Sequence, residues 1–372
     1  KSHAALISEG LKRCLEIMQE AYKIAQQSAD RVCEVTIMAE LGHHMVGENL
    51  SQGLSMLYQA SARYQSLISA ETAPLTKSQY RLLHQIEGFI GVGELDRGRY
   101  DEAEEWLRKS VNGLKELRMY DDLPPMLNYL GQLYTGIGRF EEAEKVFQEA
   151  IDVYKKEEDA NAWRGYNLAL LGKLYMEWGR IDDAVKPLLK GWEETQSTWN
   201  TDLVPLVRNY YAELLMHPAN KARNLETAKQ LLNTTWEETQ ISGYHRSAIA
   251  ALSLQSSLAL MQNSIDTAVD YSTQAVEYLQ RVGGTMPALR TEEVLFQHFQ
   301  ALQANKREQE ALDYLAQAHT IVQQKAATIQ NPDHQRAFME RVPVSKAILA
   351  AFKNASTREP QDTTSANSPY DR

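Results

Sequence analysis

Four groups of residues are of the right type to do chemistry: the acid pairs Glu141-Glu142 and Asp182-Asp183, the doublet His43-His44, the glycine cluster Gly88 to Gly93, and the cysteines Cys14 and Cys33. Paired carboxylates can serve as general acid and base. Neighbouring histidines or cysteines can hold a metal, and clustered glycines can cradle a phosphate. Each group has a simpler reading. The acid pairs recur 41 residues apart, each just after a Gly-Arg-hydrophobic turn, where the positive end of a helix dipole favours them. His43 and His44 are adjacent rather than four apart, so their rings leave a helix on different faces. The glycine cluster has no strand before it, and the chain holds no Gly-x-x-x-x-Gly-Lys-Ser/Thr loop. The cysteines lack metal-type spacing, and Cys14 falls in a small-residue packing slot. No catalytic residue, metal or cofactor is expected.

The elements that carry these residues are repeats. Leu130-Gly131-Gln132-Leu133-Tyr134 followed by Gly138-Arg139-Phe140-Glu141-Glu142-Ala143 returns as Leu171-Gly172-Lys173-Leu174-Tyr175 followed by Gly179-Arg180-Ile181-Asp182-Asp183-Ala184, displaced by 41 residues. A small residue marks every unit: Cys14, Gly53, Ala103, Ala143, Ala184, Ala228, Ala268 and Ala311, at steps of 39, 50, 40, 41, 44, 40 and 43. The words Trp-Glu-Glu-Thr-Gln at Trp192 and Trp236 agree independently, being 44 residues apart. Small residues at Gly131, Gly172, Ala143 and Ala184 let two helices approach. Leu107, Phe147 and Leu188, four places on, fill the space between pairs. The turn glycine ends one helix and the acids start the next.

Leu-Gly-x-x-Tyr, then Gly-Arg-aromatic-Glu-Glu-Ala, resembles the tetratricopeptide repeat family over residues 32 to about 325. The period of about 40–44 is longer than the family's usual 34. Longer helices of this kind are similar to MalT-type arrays in bacterial signal-transduction ATPases and regulators. HEAT repeats share the length without the anchors and rank second. The segment Asn331 to Leu349 resembles a closing segment found after such arrays. The expected fold is therefore all-α: a right-handed solenoid of about seven helix pairs, with a flanking helix at about 4–28 and a capping helix near 333–353. Breaks are expected at Glu71 to Pro74, Asp122 to Pro125, His217-Pro218 and Gly283 to Pro287, and the first is expected to account for the 50-residue step. Residues 1–353 form one body, and 354–372, rich in Ser, Thr, Asn and Pro, read as a disordered tail.

The net charge of −10 opposes direct binding to nucleic acid or to an anionic membrane. No apolar run approaches a membrane span. The two cysteines without metal-type spacing point to a reduced compartment and a cytoplasmic location, and the absent initiator Met to an excised fragment or a processed product. Surface remains as the functional element. In such arrays the first helices of successive pairs line the concave side. Transferred by position, the resemblance places Asn128, Gln132, Lys173, Asn209 and Glu213 there, with Ala39, His43, Ala169, Ser253, Ser257, Phe296 and Gln300, and with Tyr166 and Arg208 beside the stripe. This polar set suits a protein or peptide partner, or a small inducer. Trp192 and Trp236 read as packing residues. The expected function is a non-catalytic interaction or sensor module of a larger bacterial signalling regulator. The alternative is a free-standing scaffold that binds peptides or proteins.

Overall fold

The computed structural model describes residues 2–71, 73–153, 162–196, 203–284 and 288–357. Among these there are helices and turns only. The first helix is α1 (Ser2–Gln27). Four antiparallel pairs follow: α2 and α3 (Arg31–Val46, Leu50–Ser69), α4 and α5 (Lys77–Arg97, Tyr100–Glu116), α6 and α7 (Leu123–Gly136, Phe140–Val153), and α8 and α9 (Ala162–Glu177, Ile181–Gln196). Three more are α10 and α11 (Leu203–Met216, Leu225–Ser242), α12 and α13 (His245–Met261, Ile265–Arg281), and α14 and α15 (Thr291–Ala304, Glu308–Ala327). The chain closes with α16 (Pro332–Glu340) and α17 (Pro343–Ser356). The seven expected pairs are all present.

The repeat anchors act as their chemistry predicts. Gly98, Gly138 and Gly179 take φ of 78°, 77° and 79°, the left-handed conformation that ends a helix and turns the chain. In later units Asn263 and Lys306 occupy that conformation instead, at 57° and 65°, so the turn persists where its glycine has gone. A β-carbon on Gly131 would lie 2.5 Å from the Phe147 ring, and one on Gly172 only 2.4 Å from Leu188. The paired helices are thus in van der Waals contact through these slots. Successive pairs are clasped by the repeat's Tyr and Arg. Tyr134 and Arg139 both bond Glu104 of the preceding pair, at 3.1 and 2.7 Å. Tyr175 and Arg180 bond Glu144 in the same way, at 2.5 and 3.3 Å. The acid pairs are structural too: Glu142 is held by Arg139, Asp183 by Arg180, Asp182 by Lys221 and Glu141 by Arg341.

Three expectations need correction. The 50-residue step does not come from a longer loop. The linkers at 70–76 and 117–122 differ by one residue, but α4 has 21 residues where α6 has 14. The cap is two helices, because Pro343 starts a new helix and holds Val342 extended, at φ −71° and ψ 116°. Helix α17 also runs to Ser356, past the expected start of the tail at 354. Residues 358–372 of that tail lie outside the described residues. Cys14 is fully buried in its packing slot, and Cys33 is an exposed free thiol. Trp192 stacks on Tyr211 and Trp236 meets Tyr278 edge-on, both packed against the core as expected.

The array is not open-ended. Its C-terminal helices return to the turns of the second and third pairs. Thr328 donates to Gly98 O at 2.9 Å, and the Gln330 amide donates to Asp101 at 2.6 Å, across 230 and 229 residues of sequence. Phe338 packs on Tyr100 with ring centroids 5.7 Å apart. Arg341 lies over the Phe140 ring and bonds Glu141 at 2.9 Å. The turn at Gly138 is so close to α16 that a β-carbon there would lie 2.7 Å from Ala337 O. The superhelix therefore completes a turn and seals on itself.

Candidate functional site

The closed turn surrounds a cavity of about 230 Å³. Its wall is built from the first helices of successive pairs, each presenting one stripe at helical spacing. Leu170, Lys173 and Glu177 come from α8, and Leu206, Asn209, Tyr210 and Glu213 from α10. Arg246, Ala250, Ser253, Leu254 and Ser257 come from α12, and Glu293, Val294 and Gln297 from α14. Asp96 at the end of α4, Ala288 to Arg290 before α14, and Lys325 of α15 also line it, as do Leu95, Tyr100, Gln132, Thr135, Gly136 and Phe147. The closure thus supplies part of the lining. The Ala288 amide donates to Asp96 at 2.7 Å across 192 residues.

The cavity is rich in charge, and most of that charge is paired. Lys173 bonds Glu213 at 2.5 Å and lies 3.9 Å from Glu177. Arg290 bonds Glu177 at 2.8 Å and lies 4.0 Å from Glu293. Lys325 reaches both oxygens of the buried Glu292, at 2.8 and 2.7 Å. Burial alone would pull the Lys173 ammonium down, but Glu213, Glu177 and Glu293 outweigh it and hold it above the usual lysine range. Burial pushes the Asp96 carboxyl up to about 6. Three lining residues each carry a buried polar atom with no hydrogen-bond partner among the described residues: Asn209 Oδ1, Ser253 Oγ and Gln297 Nε2. No group of three or more His, Cys, Asp or Glu able to hold a metal occurs among the described residues. The arrangement can hold a polar or charged ligand by hydrogen bonds and ion pairs.

The residues named from the sequence divide into two sets. Gln132, Lys173, Asn209 and Glu213 line the cavity, as do Ser253 and Ser257. Tyr166 is buried just behind the wall, its hydroxyl 3.5 Å from Arg246. Asn128 lies deeper, in an amide ladder: it accepts from Gln132 at 2.5 Å and donates to Asn167 at 3.3 Å. Arg208 points away from the cavity into an ion pair with Glu238 at 2.7 Å, over the Trp192 ring. Ala39, Ala169 and Phe296 are buried in the core, and Gln300 is exposed away from the cavity. His43 stacks on Phe89 at 4.2 Å, where burial first and His44 second depress its pKa to about 3. Sequence reasoning missed Arg246, Asp96, Arg290 and Lys325. Arg246 was within reach: it lies seven residues before Ser253, two turns up the same stripe.

Repeated helix pairs around one lined cavity define a tetratricopeptide-like solenoid. Comparison with known proteins agrees. Residues 83–156 and 122–191 match the tetratricopeptide repeat family model. The chain has a tetratricopeptide-like fold, and its residues 83–191 carry the matched repeats. Among solved structures it is similar to a Rap protein complexed with competence and sporulation factor, at 10% identity and a TM-score of 0.59, with 96% of each chain covered. It is also similar to the apo form of the quorum sensor NprR from B. thuringiensis, at 12% identity and 0.55, covering 95% of this chain and 96% of that one. The Rap conjugation gene regulator of plasmid pLS20, in complex with the Phr* peptide, matches at 12% identity and 0.53, covering 88% and 98%. No curated protein matches the chain in sequence. No described helix is long and apolar enough to cross a membrane.

Proposed function

We propose that the chain is a non-catalytic sensor module that binds a short segment of a protein or peptide in its central cavity. The observation that carries this reading is the cavity itself. Four first helices present Lys173, Asn209, Ser253 and Gln297 toward one cavity, with hydrogen-bonding atoms left over. A volume of about 230 Å³ is below the roughly 300–1,000 Å³ of drug-sized ligand sites. It fits the end or one or two side chains of a peptide, and not a folded domain. Proteins of similar fold bind such ligands: a Rap protein is complexed with competence and sporulation factor, and another with the Phr* peptide. Because the cavity wall includes the closure between α4 and the segment before α14, an occupant bridges repeats that are distant in sequence. It would thereby set the curvature presented to an attached output domain of a larger signalling regulator.

The test is affinity selection from a pool of random pentapeptides, with bound peptides read by mass spectrometry. Wild-type protein should retain a distinct subset. The double variant Lys173→Ala, Asn209→Ala should lose it, while Arg208→Ala, which alters the Glu238 pair outside the cavity, should keep it. Equal retention by the cavity variant would place the binding surface elsewhere.

A further inference from the structure

Among the described residues, one cation of the cavity, Arg246, makes no ion pair, and Asp96 of the same wall acts on it from beyond ion-pair distance. Lys173, Arg290 and Lys325 each bond an acid. Arg246 has no carboxylate within ion-pair distance among the described residues. Its Nη2 donates to the Tyr210 hydroxyl at 3.1 Å and reaches the Tyr166 hydroxyl at 3.5 Å. Its Nη1 and Nε make no hydrogen bond among the described residues. A guanidinium carries five N–H donors and does not lose its charge in a protein, and charges so enclosed are ordinarily paired.

We propose that Arg246 and Tyr210 on the cavity wall, with Tyr166 holding Arg246 from behind, form an anchor for a carboxylate of the bound peptide, a proposal that rests on the peptide-binding reading above. Arginine presents a planar fork suited to two carboxylate oxygens. The two tyrosine hydroxyls accept from Arg246, and that of Tyr210, on the wall, can donate its O–H to the ligand. Burial holds Tyr166 well above the usual tyrosine range, so it stays neutral behind the guanidinium. The surroundings favour a single negative charge over a phosphate dianion. Asp96, Glu177, Glu213 and Glu293 line the same cavity and repel a second charge. Beside the anchor the wall is apolar: Leu206 lies one turn before Tyr210, and Ala250 and Leu254 lie one and two turns after Arg246. A carboxylate with an aliphatic group next to it fits this wall. The peptide's C-terminus and an Asp or Glu side chain both supply that chemistry.

The experiment is the same selection run with two pools of random pentapeptides, one with free C-termini and one amidated, against wild type, Arg246→Met, Arg246→Lys and Tyr210→Phe. Thermal melts and circular dichroism confirm that each variant is folded. Retention from the free-acid pool alone, reduced ~10–100-fold by Arg246→Met, assigns the C-terminal carboxylate. Retention from both pools with enrichment of Asp or Glu, lost in Arg246→Met, assigns the side chain. Arg246→Lys keeps the charge without the fork and should recover part of the affinity. Should Arg246→Met fail to fold, Arg246→Lys and Tyr210→Phe decide, each expected to weaken retention several-fold. Retention that ignores amidation, acidic content and every one of these variants overturns the anchor and leaves peptide binding standing. No retention from either pool by folded wild type overturns both.

Discussion

Gly131→Ala is the sharpest test of how the repeats are held together. The new β-carbon would stand 2.5, 2.7 and 2.8 Å from three atoms of the Phe147 ring. Ordinary carbon contacts are about 3.5–4.0 Å, so each overlap is near 1 Å. Phe147 is 1% exposed and packed in the core. Overpacking of this kind costs about 1–3 kcal/mol, and three simultaneous contacts place it in the upper part of that range. Alanine recovers about 0.8–1 kcal/mol of helix propensity over glycine. The net expectation is a loss of about 1–2 kcal/mol, or a fall of roughly 0.5 M in the urea midpoint, followed by far-UV circular dichroism. Two controls isolate the cause. Gly136, in the same helix, has nothing within 4 Å of its β-carbon position, so Gly136→Ala should be neutral or stabilising by up to about 1 kcal/mol. Phe147→Leu in the Gly131→Ala background should cost less than Phe147→Leu alone, because the smaller side chain relieves the clash. A Gly131→Ala midpoint at or above wild type would refute close helix contact as the reason for this glycine.

Phe338→Ala removes a side chain that is 1% exposed and seals the superhelix against Tyr100. It should cost about 3–5 kcal/mol at the closure, seen as faster amide exchange at 98–101 as well as 328–341, and unchanged exchange at 98–101 would contradict the closure. Breaking the Arg341–Glu141 pair by Glu141→Gln should shift stability by no more than about 1 kcal/mol, because both partners are substantially exposed. For Asp96, burial puts the folded pKa at about 6, above the unfolded value. This group therefore favours folding fully below about pH 4, and that contribution is lost as pH rises through 6. Asp96→Asn, which keeps an acceptor for the Ala288 amide, should flatten that slope, and parallel pH profiles of the urea midpoint would refute it. Lys306→Gly relieves a φ of 65° in a non-glycine residue and should stabilise by about 0.5 kcal/mol, measurable as a higher melting temperature.

The fold was legible because its determinants repeat. The slots at Gly131 and Gly172 each meet the large residue four places after the unit's alanine, and the turns at Gly138 and Gly179 recur at the same spacing with the same left-handed φ. The candidate site was legible only where a stripe could be transferred by position. Adjacent residues on a helix point about 100° apart, so Asn209 faces the cavity while Arg208, one place earlier, faces Glu238. His43 fell on the expected stripe, but the long α4 brings Phe89 over it. The closure left no periodic trace. Its contacts, Thr328 with Gly98 and Ala288 with Asp96, join unlike segments once each. Asp96 and Lys325 therefore reach the cavity through curvature summed over several repeats, which no single repeat encodes.

The seal between the second and third pairs and the last helices also orders events during synthesis. A stacked array can grow pair by pair as it leaves the ribosome, each unit resting on the one before. The docking surface around Tyr100 and Phe140 is complete early, but its occupant is encoded some 229 residues later. At about 5–20 residues per second, that surface waits roughly 10–50 s for Thr328 to Arg341 to emerge. In that interval the nascent chain presents an apolar landing site of its own making. A holding chaperone, or the matching helices of a second nascent chain on the same message, would find it open.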